Sequence, residues 1–342
     1  MSGVRAEVPV RVGGMAGDDR AERRRRLLRV VPEEAWAAAE PLVAEIEELK
    51  ARRRAVVLAH NYQVPEIFHG IADLTGDSLA LAREAAATDA EVIVMCGVAF
   101  MAETAKLVCP DRLVLLPDLA AGCSLAESIT PDDVLALRRR HPGVPVVTYV
   151  NTSAAVKAVS DICCTSANAV EVVESLGSDQ VLLLPDEYLA RHVATQTDVE
   201  VLAWSGHCEV HERFTGAEIR DYRGGVDGLT VLAHPECPPD VLAEADYVGS
   251  TAGMVGYVGA ARPRRALLVT ECSMSDNVAA GFPDVEFVRP CNLCPHMKRI
   301  TLAKVRDALA AGAPSVEVPP EVAGPARAAI EAMLALSPRP GR

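Results

Sequence analysis

The chain reads as α/β: three similar α/β/α sandwich domains with parallel sheets, arranged with pseudo-threefold symmetry around a central site. Three observations predict this. Short aliphatic runs with β character alternate with Ala-rich helical segments, the pattern of parallel α/β architecture. Four matched features recur in the same order three times, with the first-strand positions His60, Val150 and His234 lying 90 and 84 residues apart. Such a period marks repeated structural units of about 85–90 residues. Finally, cysteines fall just beyond the fourth strand of every copy.

The first strand of each copy is a buried run that ends in polar residues: AVVLAHNY (55–62), PVVTYVNT (145–152) and LTVLAHPE (229–236). Sixteen to eighteen residues later comes a turn of small residues: GDS (76–78), CTS (164–166) and GST (249–251). Each turn opens a helical segment, with Ser78, Ser166 and Thr251 expected at the helix N-terminus. The third strands are EVIVMC (91–96), QVLLLP (180–185) and RALLVT (265–270). The fourth are RLVLLP (112–117), VEVLAW (199–204) and VEFVRP (285–290). Residues 1–35 read as a flexible N-terminal tail. The first repeat spans 36–122, with C-terminal helices over 301–336 packing on it; the second spans 123–207 and the third 208–300.

Length alone, 342 residues, suggests about two domains; the repeat makes it three. Hydrophobic residues are 50% and charged residues 24%, which excludes wholesale disorder. With only two Trp, six Tyr and five Phe, the core must be aliphatic. A net charge of −13 argues against nucleic-acid binding, though not against small anions held in a local pocket. No secretory h-region and no run of 18 apolar residues is present, so neither export nor a membrane span is expected. The compartment implied is a reducing cytoplasm, in which the ten cysteines stay as thiols.

Cys123, Cys208 and the pair Cys291 and Cys294 follow the fourth strands of the three copies. Parallel α/β units bind ligands beyond the carboxyl ends of their strands. If those ends face a common axis, one thiol from each copy reaches the same point. A single Cys is more often a small buried hydrophobe, and that suffices for Cys96, Cys109, Cys237 and Cys272, as for the adjacent Cys163 and Cys164. It does not explain a Cys recurring at one place in every repeat. Three soft thiolates with no obvious fourth ligand suit an iron–sulfur cluster with one iron open, a Lewis acid able to promote loss of water. His60, Tyr62, Tyr149, Asn151, His234 and Glu236 at the strand ends would surround it. Helix N-termini bearing Ser78, Ser166 and Thr251 would add N–H donors for carboxylate or phosphate.

The segments AHNYQVPEI (59–67), GDSLALAR (76–83), FMAETAK (100–106), YVNTSAAVKA (149–158) and TSANAV (165–170) resemble quinolinate synthase, the iron–sulfur quinolinate synthetase A family. So do GHCEVHERF (206–214), AHPECPPDV (233–241), GSTAGM (249–254) and CPHMKRITL (294–302), in the family's order from about His60 to Leu302. The resemblance implies a transferase of de novo NAD biosynthesis that condenses iminoaspartate with dihydroxyacetone phosphate to quinolinate, phosphate and water. It implies a 4Fe–4S cluster, one per chain, held by Cys123, Cys208 and Cys294, the last being the Cys of the family's C-P-x-M. It further implies catalytic roles for Tyr62, Glu236 and His234. Substrate contacts are implied for His60, Ser78, Tyr149, Asn151, Ser166, His211, His234, Glu236 and Thr251. Because iminoaspartate is unstable in water, L-aspartate oxidase is the implied functional partner. ECSMSDN (271–277) departs from the family pattern, so Cys272 carries no role, and the resemblance implies a redox-responsive Cys291–Cys294 pair in some members, whose disulfide would cost the cluster.

Two rivals remain. His207-Cys208-Glu209 with Pro290-Cys291-Asn292-Leu293-Cys294 matches H-x-E…P-C-x-x-C, a zinc deaminase signature using His207, Cys291, Cys294 and Glu209. It leaves Cys123 and the repeat unexplained. A non-catalytic iron–sulfur sensor would favour closely spaced ferredoxin-type cysteines, and the sequence lacks them.

Overall fold

The computed structural model describes residues 20–336. It contains three parallel four-stranded sheets. The first holds β1 (Ala55–His60), β2 (Leu74–Gly76), β3 (Val92–Cys96) and β4 (Leu113–Leu115) in the order β2-β1-β3-β4. The second holds β5 (Val146–Tyr149), β6 (Ile162–Cys164), β7 (Gln180–Leu184) and β8 (Glu200–Ala203) in the order β6-β5-β7-β8. The third holds β9 (Leu229–Ala233), β10 (Tyr247–Val248), β11 (Arg265–Val269) and β12 (Glu286–Val288) in the order β10-β9-β11-β12. Helices on the faces bury the central strands, which is why β1, β3, β5, β7, β9 and β11 are nearly continuous apolar runs.

β2, β6 and β10 lead directly into the small-residue turns and are only two or three residues long. Too short to show an alternating pattern, they owe their strand character to pairing with β1, β5 and β9. The helices that follow start as expected in two copies. Ser78 opens Ser78–Ala87 and Thr251 opens Thr251–Ala261, capped by the side chains of Asp77 and Ser250. In the second copy the helix starts later, at Ala169. There Asn168 Oδ1 accepts from both the backbone N–H and the hydroxyl of Thr165, closing a turn that keeps Ser166 outside the helix. Ser166 therefore does not sit at a helix N-terminus.

Residues 1–19 of the expected tail lie outside the described residues. Its remainder is largely helical, with Arg20–Leu27 followed by the long helix Glu33–Arg53. Leu27 is fully buried and Trp36 nearly so. At the other end, Leu302–Ala311 packs on Glu33–Arg53 of the first unit. The last helix, Pro320–Leu336, instead lies mainly against Ala154–Ala158 and β6 of the second unit, touching Ala99–Val108 of the first as well. No described helix is long and apolar enough to cross a membrane.

One cysteine expectation is corrected. Cys272 and Cys291 form a disulfide that closes a loop of sequence separation 19, so these two are not thiols and Cys291 does not pair with Cys294. The pairing is spatial rather than sequential: Glu271 bridges Asn292 in the ladder beyond β11 and β12, which sets Cys272 beside Cys291. The other eight cysteines are free.

Candidate active site

In each sheet the chain leaves β1, β5 or β9 toward one neighbour and returns on the other side, creating the switch point at which open parallel sheets bind ligands. The residues at or just past the ends of these strands are His60 and Tyr62, Tyr149 and Asn151, and His234 and Glu236. All six line one cavity, together with Ser78, Ser166, His211 and Thr251. Cys123, Cys208 and Cys294 line the same cavity, one from the loop after each fourth strand. Every site residue expected from the sequence is thus brought to one place.

Hydrogen bonds between units tie the cavity together. Tyr149 OH donates to Glu236 Oε1 at 2.6 Å, and Asn151 Nδ2 donates to the same oxygen at 3.3 Å. His211 Nδ1 lies 2.9 Å from Glu236 Oε2. Ser166 Oγ is 3.3 Å from His234 Nε2, and Asn61 Nδ2 donates to Thr251 Oγ1 at 2.8 Å. His211 and His234 stack with centroids 4.8 Å apart, while His60 meets Tyr62 edge-on at 4.6 Å.

Burial governs the protonation of this wall. Desolvation lowers His60 and His234 to about 3, so both imidazoles are neutral at physiological pH. Burial likewise raises the Tyr62 and Tyr149 phenols well above their ordinary value, with the Glu236 charge adding to it. For Glu236 itself burial opposes ionisation, but the His234 and His211 imidazoles and the Tyr149 hydroxyl outweigh it and hold the carboxyl below the usual range. The result is a buried carboxylate with the Tyr149 and Asn151 donors on one oxygen and the His211 ring beside the other.

The three thiols are soft donors drawn from three units and are not engaged with one another as disulfides. Burial pushes Cys123 up to about 12 and raises Cys208 and Cys294 as well. Such thiols ionise only against a compensating cation, and metal binding supplies one. The donor set therefore fits an iron–sulfur cluster with three protein ligands. Cys208, His211 and Glu236 also place ligand atoms within 4.8 Å of one another.

Several residues that position the site carried no signal in the sequence. Thr270, directly after β11, contacts both Tyr62 and His211. The corresponding third-strand ends of the other copies are Cys96 and Pro185, so no repeated residue type marks the place. Lys298 donates to Tyr62 O, Ser273 Oγ and the fully buried Glu271, whose carboxylate in turn accepts from Cys294 N. His296 Nε2 lies 3.1 Å from Glu209 Oε1, and Glu209 N donates to Ser124 Oγ. These contacts join the three cysteine loops. The deaminase set is not assembled: His207 is bonded to Glu187 and stacked on Tyr188, and Cys291 is consumed in its disulfide.

The model of the family described as Quinolinate synthetase A protein matches residues 44–335. The chain belongs to the quinolinate synthetase A family. It is 64% identical over 309 residues to a quinolinate synthase of Agrobacterium fabrum, covering 90% of each chain. It is 63% identical over 294 residues to a quinolinate synthase of Xylella fastidiosa strain Temecula1, covering 86% of this chain and 87% of that one. A quinolinate synthase of Caulobacter vibrioides is 56% identical over 307 residues, with 89% and 84% covered. Membership of the quinolinate synthetase A family makes this chain an enzyme, and the match includes all three sheets and every cavity residue named above.

Proposed function

We propose that this chain is a quinolinate synthase, condensing iminoaspartate with dihydroxyacetone phosphate to give quinolinate, phosphate and water in de novo NAD biosynthesis. The observation that carries the reading is the convergence of Cys123, Cys208 and Cys294, one per unit, on the cavity walled by Glu236, Tyr62, Tyr149 and four histidines. When bound, a 4Fe–4S cluster held by these thiolates supplies an open Lewis-acidic iron that favours loss of hydroxyl groups.

The chain's own residues supply the rest. Ser78 and Thr251, each the first residue of its helix, and Ser166 in its turn hold carboxylate and phosphate without adding charge. Asn151 Oδ1 is buried without a hydrogen-bond partner among the described residues, an acceptor for a substrate N–H or O–H. Glu236, ionised, takes the proton that enolisation releases from carbon. Tyr149, already donating to Glu236, and Tyr62 give protons as hydroxyls depart, while neutral His60 and His234 orient the substrates. Because iminoaspartate decays in water, an L-aspartate oxidase in the same cytoplasm is the matching supplier.

The test is an anaerobic assay of reconstituted protein with both substrates. Quinolinate formation by brown protein carrying about four irons per chain supports the reading. A colourless zinc form with full activity would overturn it. Replacing Cys123, Cys208 or Cys294 by Ala should each remove iron and abolish turnover.

A further inference from the structure

The helices Arg20–Leu27 and Glu33–Arg53 enclose a second cleft against the residues that follow Pro65–Phe68. Its volume is about 210 Å³, against about 70 Å³ for the central cavity, and Arg23, Leu27, Trp36, Glu40, Val43 and His69 are among its walls. All of these except His69 precede residue 44, where the family match begins. The cleft is therefore built largely by a part of the chain to which family membership assigns nothing.

Packing accounts for Leu27 and Val43 but not for the polar atoms beside them. Arg23 Nε, Trp36 Nε1 and His69 Nε2 are each buried with no hydrogen-bond partner among the described residues. A buried polar group left unbonded is destabilising, so three around one cleft call for a ligand. The other tryptophan, Trp204, shows the ordinary outcome: its Nε1 donates to Ser128 O at 3.0 Å.

Each unbonded atom has a defined polarity. Arg23 Nε–H and Trp36 Nε1–H only donate. His69 donates to the Asn277 backbone carbonyl, a bond that falls to Nδ1 because Nε2 has none. Burial holds the ring at about 4, so it is neutral at physiological pH and Nε2 is an acceptor. The carboxylates of the cleft divide as well. Glu47 is tied to the buried Lys50 at 2.8 Å, whereas Glu40 meets Arg24 Nε only at 4.0 Å. The cleft thus offers two donors and a guanidinium charge to an anionic group, and an acceptor nitrogen and a carboxylate to a cationic one.

We propose that this cleft binds a free α-amino acid with a small aliphatic side chain. The ligand carboxylate accepts from Arg23 Nε and Trp36 Nε1, its ammonium donates to His69 Nε2 and Glu40, and its side chain lies on Leu27 and Val43. A carboxylate alone would leave His69 Nε2 and Glu40 unmatched, and an amine alone would leave Arg23 and Trp36 unmatched.

The probe is L-valine, added to cluster-loaded full-length protein. The chain has two tryptophans, so two indole N–H signals are expected in its NMR spectrum, and Trp36→Phe assigns them. L-Valine should shift the Trp36 signal saturably, with a Kd of about 1 mM or tighter, and leave the Trp204 signal in place. 3-Methylbutanoate lacks the ammonium and isobutylamine lacks the carboxylate; each should bind at least about tenfold more weakly. Arg23→Gln should weaken L-valine by at least about tenfold. If Arg23→Gln does not fold, Glu40→Gln at the exposed rim should show the same loss. No saturable shift of the Trp36 signal, equal shifts of both signals, or 3-methylbutanoate binding as tightly as L-valine would each overturn the proposal.

Discussion

Glu236 combines full burial with ionisation, a state that costs several kcal/mol unless donors surround the carboxylate. Tyr149 and Asn151 provide them, and the His211 ring lies 2.9 Å from the other oxygen. Glu236→Gln keeps the shape, turns one acceptor oxygen into a donor amide and removes the base. It should lower kcat by about 100-fold or more while iron content stays at the wild-type level, as read by paired kinetics and iron analysis. Tyr149→Phe should act more mildly, because Asn151 still donates to the same carboxylate oxygen. The histidine and tyrosine positions, with Glu236 beside one of them, were legible because polar residues recur at the ends of the first strands. Thr270 was not, because its role depends on partners 208 and 59 residues away and on no pattern around it.

At the scale of elements, the loops after the fourth strands are held by local geometry. Gly206, two residues before Cys208, lies where an added Cβ would come 2.6 Å from Pro185 O. Backbone atoms cannot yield as a flexible side chain can. Gly206→Ala should cost about 1–3 kcal/mol and reduce cluster occupancy, measured by denaturant unfolding and iron per chain. Cys291→Ala should behave differently. It opens a loop of separation 19, a loss of about 3 kcal/mol in oxidised protein and none in reducing buffer, with iron content unchanged because Cys294 remains. Iron lost on Cys291→Ala but kept on Cys294→Ala would reverse the assignment of the third ligand. The long central strands were readable as apolar runs, whereas two- and three-residue edge strands have no period to read. Their existence is a property of the neighbouring strand.

Across the whole molecule, the buried histidines make stability depend on pH. His60 and His234 have folded values near 3 against an ordinary 6.5, so the unfolded chain binds more protons between those limits. Their contribution is complete above about pH 6.5 and is lost as pH falls toward 3. The lowered carboxyl of Glu236 works in the same direction at the acid end. Urea midpoints of the cluster-free protein should therefore drop steadily below pH 6.5, and His60→Asn should flatten part of that slope. The three sheets share one strand order, and site residues from all of them bond to one another, so no unit on its own holds the complete cavity.

Periodicity and composition by themselves determined three parallel α/β units, the ends of their central strands, and the cysteine after each fourth strand. Burial of strands and repetition of a site are written along the chain, so a linear reading finds them. Only the tertiary structure decided which side chains finally meet. It gave Thr270 to Tyr62 and His211, joined Cys272 to Cys291, kept Ser166 out of its helix, and set the last helix mainly against the second unit. Each of those outcomes rests on contacts between distant segments or on a single competing hydrogen bond, and neither leaves a period in the sequence.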